Sequence, residues 1–198
     1  MKTLLYLVFL SIFLFSCKKE IAPIIPEPPI THNNTGATSF KEYTIRAGLQ
    51  YCDKNSYLPV ELNKLSFIVK FDSSAIYKTT LSSNQYDINK LYGFSDNGST
   101  HHEYSARFGW NWSNGSLSLF AYTYNMGERS FKKLATIGIG EEIDCAITVE
   151  SSRYIFSVND KTDSMDRKST TLRGKGYMLY PYFGGDEAAP HDIHIWIK

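Results

Sequence analysis

Arg107, Asn111, Phe120, Tyr122 and Tyr124 are residues whose types and spacing could do chemistry. An aromatic ring offers a flat apolar platform, and a phenol adds a hydrogen-bonding tip. A guanidinium and a carboxamide add planar arrays of polar atoms. Such a mixture suits a ligand with an apolar CH face and a rim of hydroxyls, as a sugar has. The same residues could instead pack against a second layer, with Arg107 paired to an acid and Phe120 covering Gly109. A second set lies near the C-terminus, where Asp192, His194 and Trp196 alternate with Ile193, Ile195 and Ile197. If the isoleucines turn inward the other three turn outward. An outward tryptophan needs a cover, either a ligand or a neighbouring loop or tether.

Metal chemistry has weaker support. Asp186, Glu187 and Asp192 with loop carbonyls could hold calcium, which takes several oxygen ligands. Their spacing matches no calcium-loop signature, so solvated acids are expected and neither metal nor cofactor is required. Across His101-His102-Glu103, strand alternation would send the two imidazoles to opposite sides, away from any shared ion.

The elements that must position these residues centre on residues 104–124, where two alternating runs flank Asn114-Gly115. Both residues tolerate the positive φ of a type I′ turn, so the pair predicts a tight hairpin. A two-residue loop sets the register. Trp112 faces Leu117, Trp110 faces Leu119 and Phe108 faces Ala121 on an apolar, core-directed side. Asn111 faces Ser118, Arg107 faces Tyr122 and Ser105 faces Tyr124 on the other side, which is expected to meet solvent.

Further alternating strands are predicted over residues 43–51, 65–71, 90–94, 143–149, 154–158, 176–183 and 193–197. Loops are expected over 95–103 and 159–171. No window carries a helical period beyond a turn. This pattern predicts an all-β antiparallel sandwich or barrel formed by residues 39–198.

The first 38 residues read differently. Lys2 precedes an apolar run over residues 4–15, too short to span a bilayer and flanked as a secretory signal is. Residues 18–37 hold four of the seven prolines, which cannot donate to a sheet, so an extended or disordered tether is expected. At about 3.1 Å per residue such a tether could reach on the order of 50 Å. Removing residues 1–16 leaves 20 basic against 20 acidic residues, which argues against nucleic acid as a partner. Cys52 and Cys145 could pair in an oxidising envelope, but Cys145 lies on the apolar parity of its strand, and buried free thiols are expected.

Two resemblances follow from these residues. Leu14-Phe15-Ser16-Cys17 resembles the lipobox of bacterial lipoproteins, and Cys17-Lys18-Lys19-Glu20 is similar to the opening of surface and periplasmic lipoproteins of the Bacteroides group. The resemblance implies a signal peptide over 1–16, lipidation at Cys17, a tether over 17–38, and attachment to the outer membrane or cell surface. The Phe-Gly-Trp strand, long hairpin and closing short strand resemble the concanavalin A-like lectin/glucanase jelly roll, with laminin-G-like modules as a related fit. That implies a curved sheet able to present glycans. Glu142-Ile143-Asp144 resembles the start of the glucanase motif in that fold, but Ala146 and Ile147 stand where its acid/base is needed, so a glucanase of that kind is not expected. Lyase chemistry would need a base beside a cation, and Arg107, Tyr122 and His194 could serve if their strands shared a sheet. No Gln-x-His or Arg-x-Glu-x-Arg pattern similar to the alginate lyases accompanies them. The expected function is a lipid-anchored carbohydrate-binding or adhesive module, with Arg107, Asn111, Tyr122, Tyr124, His194 and Trp196 as ligand-binding residues. An atypical lyase or hydrolase, or a protein-interaction lipoprotein, is the alternative.

Overall fold

The computed structural model describes residues 39–198. The signal segment, Cys17 and the proline-rich tether lie outside the described residues.

The central hairpin forms as its turn residues dictate. Asn114 and Gly115 take φ of 52° and 70°, and join β5 (Tyr104–Ser113) to β6 (Ser116–Asn125). Trp112 pairs with Leu117, Trp110 with Leu119 and Arg107 with Tyr122. Twofold alternation then sends Phe108, Trp110, Leu119 and Ala121 into the core, where all are buried.

The other strands are β1 (Lys41–Ile45), β2 (Pro59–Leu62), β3 (Lys64–Phe71), β4 (Asn89–Ser95), β7 (Glu128–Ile137), β8 (Ile143–Val149), β9 (Arg153–Val158), β10 (Lys161–Asp166), β11 (Gly174–Leu179) and β12 (Ile193–Ile197). They form two six-stranded sheets, ordered β1-β12-β3-β8-β9-β10 and β2-β11-β4-β5-β6-β7. Every strand pair within them is antiparallel. The first is called the back sheet and the second the groove sheet. Their inner faces meet through edge-on aromatic contacts, with ring centres of Phe67 and Phe108 5.5 Å apart and of Phe108 and Phe156 5.2 Å apart. Cys52 and Cys145 are buried free thiols, and burial pushes the Cys145 thiol well above its ordinary pKa.

The structure departs from the sequence expectation at the borders. The first strand ends at Ile45, because residues 46–50 turn away as a loop, and Tyr51 and Cys52 return only as isolated bridges to Tyr182 and Ile45. The strands β2, β7 and β10 occupy stretches with no expected strand, and all three are edge strands. The expected 159–171 loop begins instead with a two-residue turn, Asn159-Asp160, that leads straight into β10.

Candidate functional site

The outer face of the groove sheet is built around Arg107. Gly93 pairs with it from β4 and Tyr122 from β6. Glycine is required at 93, since a Cβ there would stand 2.2 Å from the Arg107 Cβ and 2.3 Å from the Ala106 carbonyl oxygen. Between Lys90 and Gly93 the register of β4 shifts. This bulge lets Leu91 and Tyr92 both pack against the core while Lys90 and Gly93 stay on the outer face. Gly93→Ala is therefore expected to cost about 1–3 kcal/mol and to displace Arg107. A thermal melt checks this, and an unchanged Tm would show that the two strands separate without penalty.

Arg107, Tyr122 and Tyr124 form the floor of a groove of about 510 Å³. Lys90 and Arg129 line it beside them, as do His101, His102, Tyr177 and Tyr182. Tyr51 and Tyr57 stand on the rim, 54% and 76% exposed. Two further hollows, of about 650 and 100 Å³, adjoin it. One shares Tyr57 and Tyr177 with the groove, the other Lys90, Tyr122 and Arg129. Together they make a track across the sheet.

The electrostatics are one-sided. No Asp or Glu is among the residues that line the main groove. The Arg107 guanidinium lies 5.5 Å from the Tyr122 ring centre, and its Nε has no hydrogen-bond partner among the described residues. Burial lowers its pKa to about 10. Lys90 donates to the Ile88 carbonyl at 2.6 Å, and its Nζ sits 4.9 Å from the Tyr122 ring centre. Burial, then Arg107 and Arg129, lower the Lys90 pKa to about 8. His101 Nδ1 lies 2.9 Å from the Tyr177 hydroxyl. Burial, Arg107 and His102 lower its pKa to about 4, so His101 is neutral at pH 7. Burial and the hydrogen bond with Tyr124 raise the Tyr122 phenol to about 12.

Arg107, Tyr122 and Tyr124 thus come together. The expectation for the other ligand-binding residues needs correction. Asn111 lies on the same face but is buried beneath the Ser82–Tyr86 turn, its Nδ2 donating to the Tyr86 carbonyl at 3.3 Å. His194 and Trp196 lie on β12 in the back sheet and face the opposite side of the sandwich. His194 Nδ1 pairs with Glu42 at 2.6 Å, and Lys70 lies 5.9 Å from the Trp196 ring centre. Alternation had the correct outward parity for both, but parity does not say which sheet a strand joins.

The two adjacent histidines also behave differently from the strand reading. They occupy a turn, and their ring centres lie 4.2 Å apart on the groove wall. Lys90, Arg129 and Tyr177 were missed because they come from distant segments that only the strand order unites.

Three of the candidate acidic residues have structural partners. Glu187 accepts from the Thr80 and Leu81 amides at 2.7 and 2.8 Å. Asp192 pairs with Arg46 at 2.7 Å, Glu142 pairs with Lys198 at 3.1 Å, and Asp186 is exposed. Asp144 is exposed on the back sheet. Among the described residues no three His, Cys, Asp or Glu side chains converge as a metal site.

No family model matches this chain, and no curated protein matches it. Solved structures do share its fold. Alginate lyase AlyC3 is 10% identical with a TM-score of 0.54, covering 80% of this chain and 72% of its own. A glycoside hydrolase family 16 endo-glucanase from Bacteroides ovatus is 12% identical with a TM-score of 0.49, covering 82% of this chain and 81% of its own. The chain is an antiparallel β-sandwich of the concanavalin A-like jelly-roll kind.

Proposed function

We propose that this protein is a lipid-anchored component of the cell envelope, held at the outer membrane or cell surface through Cys17, whose sandwich binds glycan chains. The observation that carries this reading is the groove across the outer sheet, with exposed Tyr51, Tyr57 and Tyr182 standing over a polar floor. Exposed phenol rings suit the CH faces of pyranose rings, and the Tyr182 hydroxyl, donating to Gln50 Oε1 at 2.6 Å, fixes the orientation of its ring. The open track beside the groove suits a polymer rather than a small enclosed ligand.

The test is a glycan-array screen of the purified protein, with Tyr51→Ala and Tyr57→Ala in parallel. Both residues are well exposed, so neither change threatens the fold. Specific binding is expected, with each substitution weakening it roughly tenfold, the size of one aromatic contact. No binding to plant, host or microbial glycans would sink the reading in favour of a protein partner.

One arrangement favours a second reading, a polysaccharide lyase. His101 and Tyr177 are hydrogen-bonded beside the Arg107 cation, which brings a proton acceptor near a positive centre. Release of unsaturated sugar from a polysaccharide panel would establish it. Hydrolysis by paired carboxylates has no acids among the residues that line the main groove.

A further inference from the structure

We propose that the groove selects anionic saccharides and seats the charged substituent, a carboxylate or a sulfate ester, on the Arg107 guanidinium. This rests on the glycan-binding reading and names its ligand class.

The argument begins with a comparison inside the same molecule. Among the described residues two arginines are buried. Arg167 is held as a structural arginine should be, its Nε 2.8 Å from Asp96 and its Nη2 bonded to Ser169, Thr171 and the Arg173 carbonyl. Arg107 is only 7% exposed, yet no hydrogen bond or salt bridge engages its guanidinium among the described residues. Burying a cation without a partner is costly. Here the cost is compounded, because Lys90 and Arg129 stand in the same groove, no carboxylate lines it, and Asp87 in the adjoining hollow offsets Lys90 only in part. Such a cluster suits a site whose counter-charge arrives with the ligand.

The geometry fits a bound anion. The Tyr122 ring lies beside the guanidinium, and the flanking positions on this face are Gly93 and Gly109, so no side chain from either covers it. A guanidinium presents paired donors that match two oxygens of one anionic group. Lys90 and Arg129 can supply longer-range attraction, and the tyrosine rim can carry the sugar rings.

The test is calorimetric titration of the purified protein with three oligosaccharides of equal length, a polyuronate, a sulfated galactan and a neutral glucan. At least one anionic oligosaccharide is expected to bind about tenfold or more tightly than the neutral one, in line with charge-assisted hydrogen bonds. Whichever of the two wins identifies the substituent. Arg107→Met should abolish the preference. Arg129→Gln, an exposed position that does not threaten folding, should reduce it about threefold by weakening the local field. Equal or tighter binding of the neutral glucan would overturn the inference and leave the glycan reading intact. Failure of all three to bind would overturn both.

Discussion

Replacing Asp96 with alanine is expected to remove about 3–5 kcal/mol of stability, the usual result of deleting one partner of a buried ion pair. Asp96 is fully buried at the end of β4. It accepts from the Tyr154 hydroxyl at 2.6 Å, from Arg167 Nε at 2.8 Å and from the Lys175 amide at 3.0 Å. Tyr154 belongs to the back sheet and Lys175 to the groove sheet, so one carboxylate fastens the two layers at this end. Alanine would leave the Arg167 cation buried without its counter-charge. Urea unfolding measures the loss, and a change under about 1 kcal/mol would place the pair among weak, solvated ones.

The same carboxylate links stability to pH. Burial alone would raise the Asp96 pKa, but the bonds from Arg167, Tyr154 and the Lys175 and Asn97 amides outweigh it and hold the group below its ordinary value. A lowered folded-state pKa contributes stability above the unfolded-state value, and that contribution is lost as pH falls through the folded one. The wild type should therefore lose stability on acidification more steeply than Asp96→Ala. Because residues 97–103 continue from Asp96 to His101 and His102 on the groove wall, loosening this clasp should weaken ligand binding too.

Arg107→Met carries the opposite sign. Removing an unpartnered buried cation is expected to raise Tm by about 2–8 °C, even though the packing and the contact with the Tyr122 ring are reduced. Added ligand should raise the wild-type Tm and leave the variant's nearly unchanged, because only a species that binds the folded state stabilises it. A fall of several degrees in the unliganded variant would mean that the guanidinium already has a native counter-charge. The paired outcome, a sturdier fold with a poorer site, is the trade-off expected where binding requires an otherwise unfavourable charge.

Much of the fold is legible in the sequence because it is written in local twofold periodicity. Asn114-Gly115 specifies a turn, the turn specifies a register, and the register brings Arg107 opposite Tyr122. The same logic sends Ile193, Ile195 and Ile197 inward. The strand β7 was not legible, because most of its residues are exposed and its polar sequence hardly alternates. Its turn is also unusual, with Met126 rather than Asn or Asp at a φ of 55°. Half of the site was hidden for a different reason. Lys90, His101, Tyr177 and Tyr182 meet Arg107 only because β4 lies beside β5 and β11 beside β4. No periodicity encodes that adjacency.

The borders that escaped sequence reading carry a message about self-association. Each sheet ends in two open strands, and unpaired backbone donors and acceptors there can recruit a strand from another copy. This chain guards all four. The strand β2 is short and begins with Pro59, which offers no amide hydrogen, while β1 presents Lys41 and Glu42. The strand β10 carries Lys161, Asp163 and Asp166, and β7 carries Glu128, Arg129, Lys132 and Lys133. An incoming strand would have to desolvate these charges before gaining a ladder of hydrogen bonds. Crowded copies should therefore resist edge-to-edge polymerisation, and the weak strand signal of these sequences is the trace of that protection.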